Sequence, residues 1–223
     1  MATPATQTRA SHVHDLLRQD IFRGTLPPGH RLRLVELAAR FSVSQSVVRE
    51  ALTRLAGQGL VIASPQQGFH VVTLSLEGLN ELTEARCEIE ALTFRRAVER
   101  GDLHWESEIV AAHHLLSATP ESTDDEPNEA WFEVHELFHR ALLAGCGNGR
   151  LLQVALSLRD SAALYRHWSQ PIGQDHARDV AGEHRSLLDA ALARDAGTAA
   201  ARLAAHIERT SAALRPAAAT LDT

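Results

Sequence analysis

Lysine is absent from this chain of 223 residues, and cysteine occurs only as Cys87 and Cys146. The missing lysine carries no functional meaning by itself, since arginine supplies the positive charge. Two cysteines cannot build a disulfide framework, so a reducing, cytoplasmic setting is expected. No apolar run approaches the ~20 residues of a membrane span. Residues 1–10 also lack the apolar centre of a signal peptide, so no membrane partner is expected. The length suits one large or two modest domains, which commonly run to about 100–150 residues each.

The formal net charge of -6 conceals an asymmetry. Residues 1–74 hold eight Arg against four Asp and Glu, a balance of +4, whereas residues 75–223 hold fourteen against twenty-four, a balance of -10. A basic head on an acidic body points to a polyanionic partner for the head.

Within that head, Val13, Leu16, Leu17 and Ile21 repeat at helical spacing, and Gly24 and Pro27-Pro28-Gly29 end the pattern. Leu34, Leu37, Ala38 and Phe41 predict a short second helix. After the turn Ser42-Val43-Ser44, a third helix runs to Gln58 with Ser44 as its N-cap. Val48, Ala51, Leu52 and Leu55 form its inward stripe. Ser44, Gln45, Ser46, Arg49 and Thr53 present small or polar donors suited to base edges and phosphates. Residues 60–63 and 69–72 read as strands around a tip containing Gln67 and Gly68. Together these elements describe a winged helix-turn-helix that binds double-stranded DNA.

From Ser75 onward the pattern is helical, with about six helices forming an all-α bundle behind a boundary at residues 74 and 75. The fold class is therefore mainly α. The first long helix should run from Ser75 through Arg100, with Leu79, Leu82, Ala85, Arg86, Ile89 and Leu92 inward. Residues 119–129 read as a polar loop, and the last helix as residues 195–214.

His135-Glu136-Leu137-Phe138-His139 spells H-E-x-x-H, whose two histidines stack one turn apart on a helix and can aim at one metal ion. A zinc protease also needs a third ligand at a set distance. The metzincin extension calls for a glycine and then a histidine where this chain has Leu142 and Gly145, and the thermolysin pattern finds no Glu in residues 156–160. Nine of the thirteen histidines lie in the acidic half. His104, His113, His114, His167 and His176 stand beside polar residues or at helix ends and read as surface or loop groups. His184 and His206 sit near small apolar neighbours on late helices, from which they could join His135 and His139 around a metal ion. Imidazole suits zinc, nickel, copper or iron. A metal-free sensor with four structural histidines and a hydrolase using Glu136 are the alternatives.

Nearly the whole chain resembles the GntR transcription regulators of the FadR-like branch with an FCD effector domain. The resemblance is carried by Pro28-Gly29-His30-Arg31-Leu32, by Val43-Ser44, and by Val48-Arg49-Glu50-Ala51-Leu52 with Leu55. It continues in Gly68-Phe69-His70-Val71, in Glu81, Arg86 and Glu90, in Phe138-His139-Arg140-Ala141-Leu142 with Asn148, and in Glu183-His184 and His206. It implies a homodimeric repressor of a palindromic operator, with a divalent metal such as zinc held by His139, His184 and His206. A fourth ligand, usually Asp or Asn, falls at His135. It also implies a small carboxylic acid as effector, with Arg86 as the group that grips it. Glu136, one residue past His135, is turned by about 100° and should point away from the metal. Gln45 replaces the Arg that commonly follows Val-Ser in this family, which favours adenine over guanine at that contact.

Overall fold

The computed structural model describes residues 8–66, 68–123, 126–169 and 178–221. Helix α1 (Arg9–Phe22) starts at Thr8, whose hydroxyl oxygen accepts the Ser11 N–H at 3.1 Å. Then come β1 (Arg31–Leu32), α2 (Leu34–Phe41) and α3 (Gln45–Gly57). Ser42 ends α2 in the left-handed region at φ 52°, and Ser44 caps α3. The inward stripe of α3 is the expected one, with Val48, Ala51, Leu52 and Leu55 buried.

The wing consists of β2 (Val61–Ser64) and β3 (Gly68–Val71), antiparallel, with Val61 opposite Val71 and Ser64 opposite Gly68. β1 adds to the other edge of β3, placing Arg31 opposite His70. That third strand went unanticipated because two residues are too few for an alternating pattern to register.

The C-terminal half contains α4 (Leu76–Arg100), α5 (Leu103–Ala118), the two-residue strands β4 (Ser122–Thr123) and β5 (Glu126–Pro127), and α6 (Glu129–Ala144). α7 (Gly149–Ser169), α8 (Val180–Leu192) and α9 (Ala196–Leu221) complete it. The short β4–β5 pair lies where the sequence reads as plain loop. Phe94, Trp105, Ile109, Phe138, Leu142, Leu187 and Ile207 share one apolar core.

Two expectations about these helices need correcting. α4 buries Leu79, Thr83, Arg86, Glu90, Thr93 and Phe94, while Leu82, Ala85 and Ile89 are only half-buried and Leu92 is 40% exposed. A stripe drawn through leucines follows hydrophobicity, whereas α4 turns inward the polar groups that other helices satisfy. Ser211 of α9 meets Thr83, and Arg159 of α7 meets Glu90. The last helix continues to Leu221 through Pro216. An interior proline costs about 3 kcal/mol, and the burial of Ala217 and Ala218 just beyond it helps offset that cost.

A second apolar cluster joins Leu17, Leu55 and Leu60 of the N-terminal part to Leu79 of α4, Leu164 and Tyr165 of α7, and Ala218 of α9. Polar contacts reinforce the junction. Ser161 Oγ donates to the Gln58 carbonyl at 3.1 Å, and the Tyr165 hydroxyl donates to the Ser75 carbonyl at 3.2 Å. Arg18 Nη2 reaches Asp160 Oδ1 at 3.4 Å. The His167 ring packs against both Phe22 of α1 and Phe132 of α6, at 4.9 and 4.8 Å. It is not the surface group its polar neighbours suggested.

Burial, followed by the charges of Arg166 and Arg18, lowers the His167 pKa from 6.5 to about 4. Its neutral ring therefore contributes stability that is complete above the unfolded pKa, and that stability declines as the pH falls toward the folded one. His167→Phe is expected to lose less melting temperature than the parent between about pH 7 and about pH 5. Equal losses would remove His167 from the acid response.

Candidate metal centre and nucleic-acid interface

The proposed DNA-reading side chains divide cleanly from the buried face of α3. Ser44, Gln45, Ser46, Arg49 and Thr53 are all exposed. Ser44 Oγ accepts the Val47 N–H at 3.5 Å and lies 2.8 Å from Ser46 Oγ, while Thr53 Oγ1 donates to the Arg49 carbonyl at 2.8 Å. Gly68 opens β3 at φ +85° with no heavy atom within 4 Å of the Cβ it lacks. Its left-handed backbone, rather than crowding, is what favours glycine there. Gln67 lies outside the described residues.

In the second half, four histidines from three helices converge. His135 and His139 stand one turn apart on α6 with ring centroids 4.5 Å apart, and His184 of α8 and His206 of α9 complete the group. One nitrogen from each lies within 4.8 Å of the others, and all four residues are buried. His139 Nε2 and His184 Nε2 are 3.3 Å apart. Two ligands on an ion with bonds of about 2.0–2.1 Å at the tetrahedral angle would be separated by about 3.3 Å.

The protonation states suit a cation. Burial is the first cause in lowering all four pKa values, and for His135, His139 and His184 the value falls well below the ordinary imidazole range. Neutral imidazoles keep a lone pair to donate. His135 Nδ1 and His139 Nδ1 are buried without a hydrogen-bond partner among the described residues. An unpaired buried nitrogen is costly in a purely structural histidine, so the donor set fits a borderline-soft divalent ion such as zinc.

Glu183 was not anticipated as a supporting group. Its Oε2 lies 2.7 Å from His206 Nδ1, which places the proton on that nitrogen and leaves Nε2 as the donor. Arg178 and Arg209 hold Glu183 in turn. Arg178 also donates to Thr210 Oγ1 at 3.1 Å. Burial alone would raise the Glu183 pKa, but the bonds from Arg178, His206 and Arg209 outweigh it and bring the carboxyl well below its ordinary range. Its position directly before His184 was the available signal. Trp131, one turn before His135, stacks on that ring at 4.7 Å.

His113 is buried with its ring 5.4 Å from Phe138 and edge-on to it, contrary to the surface reading. It lies on the inward stripe of α5 with Trp105, Ile109, Ala112 and Leu116, a spacing that outweighs its polar neighbour. His104 and His114 are exposed as expected, and His176 lies outside the described residues.

Beside the histidines runs a buried ionic network. Arg86 Nε donates to Glu90 Oε1 at 2.6 Å, and Arg159 Nη1 donates to Glu90 Oε2 at 3.0 Å. Arg159 also grips Glu136 through Nε at 3.2 Å and Nη2 at 2.9 Å. Arg140 and Arg166 reach the same carboxylate at 3.0 and 3.3 Å. Burial would raise the Glu136 pKa, yet these arginines, Arg159 foremost, bring it down to about 2. A carboxylate so acidic and so fully paired cannot act as the general base of a hydrolase. Glu136 is no bystander either, since it ties α6 to α7. Arg159, set in a stretch of α7 that includes Leu156, Leu158, Ala162 and Ala163, was the sequence signal for this network.

Arg159 is 1% exposed and is the guanidinium that joins Glu90 to Glu136, so removing its charge takes one partner from each of two carboxylates inside the fold. Arg159→Met is expected to destabilise the fold by about 3–5 kcal/mol. A loss below about 1 kcal/mol in denaturant unfolding would show that the network is not structural.

Residues 9–71 match the family described as bacterial regulatory proteins, gntR family, and residues 81–209 match the FCD domain. The HTH-type transcriptional regulator BphR of Paraburkholderia xenovorans is 35% identical over 89% of this chain and 82% of its own length. The HTH-type transcriptional repressor GlaR of Escherichia coli is 34% identical over 86% of this chain and 89% of its own. Among solved structures, E. coli McbR/YncC superposes with a TM-score of 0.77 at 25% identity, covering 94% of this chain and 98% of the other.

Proposed function

The chain belongs to the GntR family of bacterial regulatory proteins and carries an FCD domain, and from that premise we propose that it represses genes by binding a palindromic operator as a homodimer and releases it when a small carboxylic acid enters a metal site. Membership of that family makes it a DNA-binding transcriptional regulator and not an enzyme. The repressor reading draws support from the E. coli relative named as a repressor. Residues 1–74 are the DNA-binding unit and residues 75–223 the sensing unit.

The observation that carries the sensing half is the convergence of four buried, neutral imidazoles. His135, His139, His184 and His206 would hold zinc or a similar divalent ion. The bound ion would supply a fixed positive charge and a Lewis-acid anchor for a carboxylate oxygen. Arg86, oriented by its Nε bond to Glu90, would grip the carboxylate as well. Glu183 holds the His206 tautomer that leaves Nε2 free, and Trp131 packs over His135.

At the other end of the chain, Gln45 would read adenine, and Arg49 a base or phosphate. Ser44, Ser46 and Thr53 would contact the backbone, and Gln67 and Gly68 would bring the wing tip to the duplex. A path between the two ends is available through α6. The helix that bears His135 and His139 also bears Arg140, and Arg140 shares Asp160 with Arg18 of α1. Effector binding changes operator affinity only if it favours one placement of the winged helices over another.

Arg49→Ala is expected to weaken operator binding at least tenfold in a fluorescence-anisotropy titration at fixed salt. Unchanged affinity would remove α3 as the reading helix. Protein purified without a nickel column is expected to contain about one zinc or similar ion per chain by elemental analysis. Glu183→Gln should weaken zinc binding about 10- to 100-fold. Metal-free protein that still responds to its effector would favour the reading of four structural histidines.

A further inference from the structure

Between α1 of the winged helix and α6 and α7 of the C-terminal half lies a cleft of about 560 Å³. Neither Arg86 nor any of the four clustered histidines is among the described residues that line it. Its floor is ionic. Arg18 of α1 and Arg140 of α6 meet on one oxygen of Asp160, at 3.4 and 2.6 Å. Arg140 and Arg166 of α7 then divide Glu136, with Arg140 Nε 3.0 Å from Oε1 and Arg166 Nη2 3.3 Å from Oε2. Three guanidinium groups from three helices are thereby gathered at one cleft, where the two halves of the chain meet.

The floor does not balance. Followed through Arg159 to Glu90 and Arg86, the chain of contacts joins five guanidinium groups to three carboxylates among the described residues. Arg166 is the least satisfied of them. The Glu136 oxygen it reaches is already held by Arg159 at 2.9 Å, and its Nε is buried without a hydrogen-bond partner among the described residues. Enclosed charge of one sign calls for a counter-charge. At the rim the sign reverses, since the exposed Asp15, Glu129 and Glu133 outnumber Arg23. Those carboxylates face water, which screens them from the floor. Together with Gln19 they are groups that bond hydroxyls. The cleft therefore suits an anionic head below a hydroxylated body.

We propose that this cleft is a second ligand site, separate from the histidine cluster, for a small sugar phosphate whose phosphate is held by Arg18, Arg140 and Arg166. A phosphate monoester carries a charge of about -1.5 to -2 at neutral pH and offers three acceptor oxygens to three guanidinium forks. A carboxylate offers two oxygens and half the charge. Small-molecule sites favour domain junctions, and this volume is ordinary for one. Arg18 belongs to the winged helix and the other two arginines to the C-terminal half, so an occupant is gripped from both sides. It favours the placement in which the two halves close on it, and operator affinity changes with it.

Isothermal titration of the full-length protein with the terminal monophosphates of glycerol, ribose and glucose, alongside inorganic phosphate and the free polyols, tests this. At least one ester is expected to bind about tenfold or more tightly than inorganic phosphate, and the free polyols not at all. Arg166→Gln should weaken that ester about tenfold, and so should Arg18→Gln, whose side chain is 33% exposed and can be changed without disturbing the core. Chelating any bound metal should alter its affinity less than about twofold, because the histidines lie outside the cleft. The bound ester should also shift operator affinity by about threefold or more in the parent and not in Arg18→Gln. No ester tighter than inorganic phosphate would overturn the proposal. So would an ester whose affinity survives both arginine variants or disappears on chelation, and unchanged operator affinity would overturn the coupling.

Discussion

Arg159 sets the terms on which the C-terminal half of this protein is built. A guanidinium that is 1% exposed has to be neutralised where it stands, and its partners come from two other helices, Glu90 of α4 and Glu136 of α6. The ion pairs are directional, so they fix the rotation of α4 and α6 about their axes as well as their distance from α7. With Glu136 committed to α7, the preceding residue, His135, is turned by about 100° toward α8 and α9. The histidine-bearing face of α6 is in this sense a by-product of the charged one.

The same helices connect the histidine cluster to the winged helix. α7 carries Arg159 and Arg166 on its inward side, and Ser161 and Tyr165 bond to Gln58 and Ser75 at the junction with the winged helix. Phe22 of α1 and Phe132 of α6 both pack against His167. α7 is therefore in direct contact with α1, and α6 reaches α1 through the shared partners Asp160 and His167. The winged helix packs directly on the C-terminal helices, because one apolar cluster runs from Leu17 of α1 to Ala218 of α9. The His167 ring, half-buried between Phe22 and Phe132, is a point at which acid should loosen that junction.

The exposed polar face of α3 and the histidine cluster differ in how much the chain has to do to make them. Ser44, Gln45, Ser46, Arg49 and Thr53 share one face of one helix, so local periodicity is enough to collect them. The four histidines come from α6, α8 and α9, and their two pairs are separated by dozens of residues. Local pattern could suggest that they meet, but could not orient their rings.

What the sequence determined by itself follows from short-range rules. The helix-turn-helix, the wing and the helical bundle are written in hydrophobic period, in Ser44 and Ser75 as caps, and in Pro and Gly as breaks. The candidate histidines were legible as well, helped by their setting within a recognisable pattern of residues. Tertiary structure alone decided which polar groups are buried. It turned Thr83 and Glu90 inward where leucines suggested another stripe, buried His113, carried α9 through Pro216, and bonded Glu183 to His206. The physical reason is that burying a polar or charged group is favourable only when its partner is present. Here those partners lie on other helices, beyond the reach of any local window.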